Sequence, residues 1–254
     1  MRILFVADVF GSAGRRALEE RLVGLREELG ASFCIVNGEN VADGAGITPK
    51  LAAKLLDAGA DVITLGNHVW RREGMGAYLE QNERVIRPAN LSAFAPGRGL
   101  AVVGEVAVVN LMGSLFLNPP VGPFEVVDGV VEEARAAAPI VVVDFHAEAT
   151  SEKIAMARWL DGRVTAVIGT HTHVQTNDAR VQPGGTAALT DAGMTGPHDS
   201  VIGVEAELAI RRMRTGMPVR FRPAEGGVRI EGVVVDCDGD GRATAIEPLR
   251  VAVD

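Results

Sequence analysis

Apolar runs and apolar stripes alternate along the first two-thirds of the chain. Residues 2–7 (RILFVA), 33–36 (FCIV) and 62–65 (VITL) are short runs rich in Ile, Leu and Val, the pattern of strands buried on both faces. Between the first two, Leu18, Leu22, Leu25 and Leu29 recur at steps of four, three and four, which predicts one apolar face of a helix over 15–29. A second helix is expected over 49–58, with Thr48 as its cap, Pro49 at its first position and Gly59 just past its end. The order βαβαβ implies parallel pairing with right-handed crossovers.

Farther along, Gly and Pro cluster between residues 88 and 123, around expected strands at 100–103 and 106–111. The run NPPVGP at 118–123 reads as irregular. A helix over 130–138, a strand over 140–145, a helix over 152–160 and a strand over 164–168 follow, then a short strand at 186–189. Residues 205–215 read as a helix stopped by Gly216, and 228–235 with 243–251 as a hairpin. No internal repeat, linker or low-complexity stretch divides the sequence. The expectation is one α/β domain spanning residues 1–254.

Composition narrows the class. Hydrophobic residues make up 47% and charged residues 23% of the 254, an ordinary globular balance. Aromatics are only 4%, so the core must be aliphatic. Lys and Arg number 25 against 33 Asp and Glu, a net charge of −8, which opposes binding of bulk nucleic acid or an anionic membrane surface. A small anionic substrate is compatible with it, because a local site can oppose the global charge. The longest apolar window, 100–117, is broken by Glu105 and Asn110, so no membrane span is expected. Asp8 ends the N-terminal apolar run too early for a signal peptide. Two cysteines, Cys34 and Cys237, give no disulfide framework, and a cytoplasmic location is expected.

The polar residues with chemical potential fall just past those apolar runs. Asp8 follows RILFVA; Asn37, Glu39 and Asn40 follow FCIV; Asn67 and His68 follow VITLG; His146 follows IVVVDF; His171 and His173 follow AVIG. Ligands of open α/β sheets bind outside the carboxyl ends of strands. Four of the five histidines lie at such ends, accompanied by carboxylates and amides, and this combination points to a metal site. Imidazoles mixed with carboxylates, without thiolate, suit Fe, Mn, Zn or Co rather than Ca or Mg. Asp8, Glu39, Asn40, Asn67, His146, His171 and His173 are more than one tetrahedral shell needs and enough for two ions. Two such ions about 3.5–4 Å apart suit displacement at phosphorus by an activated water.

The ordered set DVFG, NGEN, GNH, a lone His, GTHTH and TDAGMTG resembles the YmdB branch of the calcineurin-like metallophosphoesterases along essentially the whole chain. Two positions depart from the wider superfamily: Phe10 stands where D-x-H has its histidine, and Glu39-Asn40 where the bridging aspartate would be. The resemblance implies a metallophosphoesterase-type sandwich of two mixed β-sheets flanked by helices. It implies a first ion on Asp8, Asn40 and His173, a second on Asn67, His146 and His171, and Glu39 bridging them. His68 is left as general acid or charge stabiliser. The implied reaction is hydrolysis of small phosphodiesters such as 2′,3′-cyclic nucleotides.

Other signals weigh less. Residues 236–247 (DCDGDGRATAIE) match the EF-hand loop pattern, but strand-like runs flank them, so a hairpin turn is expected. Gly11-Ser-Ala-Gly14 reads as a tight strand-to-helix turn. His198 reads as loop structure, and the glycine-rich run after Asp191 as either a turn or a site lining. Two other functions compete. A zinc amidohydrolase barrel would carry its H-x-H on the first strand, whereas here it comes late. A metal-holding regulator would have no need of His68. Self-association of the chain into a homo-oligomer is left open.

Overall fold

A computed structural model describes residues 1–253. The elements are β1 (Arg2–Val6), β2 (Asp8–Val9), α1 (Gly11–Leu29), β3 (Phe33–Asn37), α2 (Pro49–Asp57), β4 (Val62–Thr64), α3 (Met75–Gln81), β5 (Val85–Ile86), β6 (Leu100–Val103) and β7 (Val106–Met112). There follow α4 (Pro123–Ala137), β8 (Ile140–His146), α5 (Thr150–Trp159), β9 (Ala166–Thr170), β10 (Arg180–Val181), β11 (Ala187–Leu189), β12 (Met194–Pro197), α6 (Ala206–Thr215), β13 (Val228–Cys237) and β14 (Ala243–Ala252).

The strands form two mixed sheets. One has the order β2-β12-β13-β1-β3-β4-β5, with β14 paired to β13; the other has the order β10-β11-β9-β8-β7-β6. The expected parallel start is present: β1 pairs with β3 and β3 with β4, in the registers Phe5↔Ile35 and Ile35↔Val62. β13 closes the other side of β1 in antiparallel sense.

Side-chain alternation assembles the layers. Ile3, Phe5 and Ile35 of the first sheet meet Val108, Val142 and Ile168 of the second in one apolar layer. Their neighbours Leu4, Val6, Cys34 and Val36 point the other way, against Leu18, Leu22 and Leu55 of α1 and α2. Val109, Val143 and Phe145 likewise pack on Val127, Val131 and Met156 of α4 and α5. Strands buried on both faces explain why their sequences read as continuous apolar runs. The result is the expected sandwich, helices outside and two sheets within.

Several boundaries differ from expectation. α1 begins at Gly11, so the segment 11–14 is its first turn rather than a separate one. A Cβ on Gly14 would lie 2.1 Å from the Thr195 carbonyl oxygen, so glycine lets the helix start directly against β12. α4 begins at Pro123, the last residue of the run read as irregular. Proline there loses no helical hydrogen bond, and Glu125 accepts from the Gly122 N–H (3.0 Å). β2, α3, β5, β10 and β12 went unpredicted; two to seven residues are too few to show a period. The EF-hand-like run is a hairpin turn between β13 and β14, where Asp238 Oδ1 accepts from the N–H groups of Asp240 and Arg242. Among the described residues no helix is long and apolar enough to cross a membrane.

Candidate metal centre

Asp8, the residues after β3, the Gly66-Asn67-His68 turn after β4, the end of β8 and the turn after β9 converge on one buried cluster. Asp8, Glu39 and His146 are fully buried, and Asn40 and His173 nearly so. Glu39 is central. Its Oε1 lies 3.2 Å from His146 Nε2 and 3.3 Å from His68 Nδ1, and accepts from Asn40 Nδ2 at 3.0 Å. Its Oε2 accepts from the His68 N–H at 3.2 Å.

Two groups of donors flank this carboxylate. On one side, His173 Nε2 is 3.2 Å from Asp8 Oδ2 and 3.1 Å from Asn40 Nδ2. On the other, His146 Nε2 is 3.0 Å from Asn67 Oδ1 and 3.1 Å from His171 Nδ1. Glu39, His146 and His171 each offer an atom within 4.8 Å of the others, a group able to hold a metal ion. Eight of the nine strand-end residues singled out in the sequence are thereby brought together; the ninth, Asn37, turns its amide to Asp144 instead. His198 stays apart, with Nε2 3.1 Å from the Met194 carbonyl oxygen.

The donor set fits a cation on grounds of its own. Asp8 Oδ1 is buried and has no hydrogen-bond partner among the described residues. A buried carboxylate oxygen without a donor is costly unless a cation compensates it. The ring nitrogens of His146 and His171 that face each other need a proton or a metal between them. Space is tight as well: a Cβ on Gly66 would lie 2.2 Å from Glu39 Oε2 and 2.4 Å from His146 Nε2.

Supporting contacts set the rings. The Thr170 hydroxyl donates to Asp144 Oδ1 (2.7 Å) and faces His146 Nδ1 at 2.9 Å, so Nδ1 carries a proton and Nε2 is the nitrogen turned inward toward Glu39. Asn37 donates to Asp144 Oδ2 (2.9 Å), as does the Thr64 hydroxyl. His173 Nδ1 donates to the Ile202 carbonyl oxygen (3.0 Å), which likewise turns Nε2 inward. Ile202 has φ 47°, an uncommon conformation for a β-branched residue. The outer nitrogen of His171 lies 3.0 Å from Glu148 Oε2.

The His171-Thr172-His173 turn is strained, with φ 99° and 62° at the two histidines. Asp191 restrains it: Oδ2 accepts from the Thr172 N–H (3.0 Å) and hydroxyl (2.7 Å) and from buried Lys153 Nζ (2.7 Å). Asp191, at the head of the glycine-rich run, therefore supports the site, and the Gly193 N–H donates to its other oxygen (2.9 Å). Sequence reasoning missed Asp144, Thr170, Lys153 and Glu148. A carboxylate inside the apolar run IVVVDF and a lysine facing the core were the available signals.

Proton affinities follow from this packing. Burial pushes the Glu39 carboxyl up, but the His146 charge and hydrogen bonds from His146 and His68 overcome it and hold it well below the usual range. Burial pushes His146 down, yet Glu39, Asp8 and Asp144 raise it to about 9. His171 is lowered to about 3, by burial and then by the neighbouring His146 charge. Burial raises Asp144 to about 6 against its hydrogen bonds. His173 is raised, because its Asp8 contact outweighs burial.

Phe10, at the departure from D-x-H, packs edge-on against His173 with ring centroids 5.6 Å apart. A Cβ on Gly44 or Gly203 would lie within 2.6 Å of its ring. A cleft of about 660 Å³ opens above the cluster, lined among others by Phe10, His68, Arg71, Ile202, Arg212 and Phe221.

Two stacked mixed sheets, outer helices and a strand-end cluster of carboxylates, amides and imidazoles define a metallophosphoesterase-type fold with a candidate metal centre. Comparison with known proteins narrows the class. The family model described as YmdB-like protein matches residues 4–249, and the chain belongs to that family. It is 45% identical to the 2′,3′-cyclic-nucleotide 2′-phosphodiesterase of Bacillus subtilis over 258 residues, covering 100% of this chain and 97% of the relative. A solved structure of a Thermus thermophilus protein, described as hypothetical, is 42% identical with a TM-score of 0.92 and 99% of each chain covered. A structure described as a novel phosphatase from Mycoplasma pneumoniae is 34% identical with a TM-score of 0.91, covering 99% of this chain and 93% of that one.

Proposed function

We propose that the chain, acting as one unit across residues 1–254, is a dinuclear metal-dependent phosphodiesterase for small phosphodiesters, with 2′,3′-cyclic nucleotides as leading substrates. The observation that carries this is Glu39, a buried carboxylate between two sets of inward-facing donors, beside an Asp8 oxygen with no partner among the described residues. Asp8, Asn40 and His173 would hold one ion, Asn67, His146 and His171 the other, and the two Glu39 oxygens would reach both. The imidazole–carboxylate set suits Fe, Mn or Zn. Such ions, when bound, supply Lewis acidity toward phosphoryl oxygens and lower the pKa of water.

The protein's own groups do the rest. Strand ends hold the donors, with Asp8, Glu39 and His146 fully buried beneath the cleft. His68 lines the cleft and is about one-quarter exposed, with Nδ1 2.8 Å from Asn40 Oδ1. The Asn40 amide nitrogen faces His173 and Glu39. Amide N and O exchange places without change of shape. In the opposite sense, Asn40 turns its oxygen toward the donors and its NH₂ toward His68 Nδ1. That arrangement puts the His68 proton on Nε2, where it can donate a hydrogen bond to a phosphoryl or departing oxygen of a diester and stabilise the charge that develops there. The outcome expected for His68→Ala is retained metal by elemental analysis and a loss of about 10²–10⁴ in diester turnover. Full turnover in that variant removes His68 from the reaction.

A further inference from the structure

The cleft extends beyond the metal donors to a wall formed by Phe221 and Arg212. Phe221 is 40% exposed and lies in an irregular segment after α6. That segment is nonetheless fixed. Arg222 forms a two-pronged ion pair with Glu205 (2.8 and 2.7 Å), its carbonyl accepts from the Glu205 N–H (3.0 Å), and Pro223 bridges to Val204. The Arg212 guanidinium reaches over from α6 to lie 5.3 Å from the centroid of the Phe221 ring. Arg212 forms no ion pair with a carboxylate among the described residues, so its charge remains available to the cleft. Ile202 and Val204, carried by the short turn that orients His173, line the same cleft.

An aromatic ring held in place, an unpaired guanidinium on it and aliphatic neighbours form a stacking platform for a flat, electron-rich ring. We propose that Phe221 and Arg212 form the subsite for the nucleobase of a nucleotide substrate. This deepens the phosphodiesterase reading and rests on it for the placement of the phosphate. The phosphoryl group belongs at the donor cluster, and the base reaches the platform across the same opening. Base selection comes from stacking rather than from hydrogen bonds, so purines bind more tightly than pyrimidines.

Titration calorimetry with adenosine 3′-monophosphate and with inorganic phosphate tests the subsite by binding rather than turnover. The purified wild-type protein is expected to bind the nucleotide more tightly than phosphate. Phe221→Ala is expected to weaken the nucleotide by roughly 5- to 100-fold and leave phosphate unchanged. Phe221→Trp is expected to keep nucleotide affinity, which separates stacking from a general collapse of the cleft. Equal affinity of the wild type for the two ligands, equal loss of both in Phe221→Ala, or no loss at all overturns the subsite. Hydrolysis of bis(p-nitrophenyl) phosphate by the wild type is followed in parallel. Hydrolysis without dependence of nucleotide binding on Phe221 ends the subsite and leaves the enzyme reading. Phe221-dependent nucleotide binding without hydrolysis does the reverse.

Discussion

His146 and His171 face each other with ring nitrogens 3.1 Å apart, yet their proton affinities move in opposite directions. Glu39, with Asp8 and Asp144, draws the proton to His146 against its burial, while burial and then the His146 charge deny one to His171. This divergence makes a stability prediction for the metal-free protein. His146, raised from 6.5 to about 9, contributes stability that is fully present below pH 6.5 and is lost as pH rises through about 9. His173 is raised too and acts in the same sense. His171, lowered to about 3, acts only when pH falls below 6.5, where the unfolded chain takes up a proton that the folded one refuses. Urea unfolding of chelator-treated protein is therefore expected to show falling stability between pH 6.5 and 9. Cations compete with those protons, so metal affinity is expected to rise across the same interval. A flat profile in the chelated protein contradicts the proton assignments.

At the scale of elements, the turn after β9 depends on support from outside itself. Both of its histidines have positive φ, and Asp191 holds it through Thr172 while Lys153 neutralises Asp191 from α5. Both ends of this pair are buried. Asp191→Asn leaves the lysine uncompensated and is expected to cost about 3–5 kcal/mol, the range for breaking a buried pair. It is also expected to weaken metal binding at least tenfold, through loosening of His171 and His173. Chemical unfolding and a metal-chelator competition check the two effects, and wild-type values in both contradict the role given to Asp191. The elements themselves were legible wherever burial on both faces or a long stripe left a pattern, as in RILFVA or Leu18–Leu22–Leu25. Thr48 caps α2 as expected, accepting from the Leu51 N–H at 3.3 Å. The early start of α1 was not legible, because the contact of Gly14 with Thr195 is a tertiary fact. The site donors were legible because each follows an apolar run. Their supports were not: Asp144 looks like a defect in β8 until Asn37, Thr64 and Thr170 are seen around it.

At the scale of the whole molecule, two sheets stacked on an aliphatic layer bring strand ends that are distant in sequence to one place. Asp8 and His173 are separated by most of the chain and meet at 3.2 Å. The net charge of −8 is in part a property of this cluster, since Asp8 and Glu39 are fully buried in it rather than solvated surface. Two divalent cations would offset it locally and draw a small phosphodiester to an otherwise acidic molecule. The bridging role proposed for Glu39 is the central claim, and metal stoichiometry of Glu39→Gln, measured with turnover of a 2′,3′-cyclic nucleotide, tests it most directly. Two equivalents in the wild type, loss of at least one in the variant and a collapse of turnover are the predicted result. Two equivalents retained in Glu39→Gln with normal turnover would contradict it.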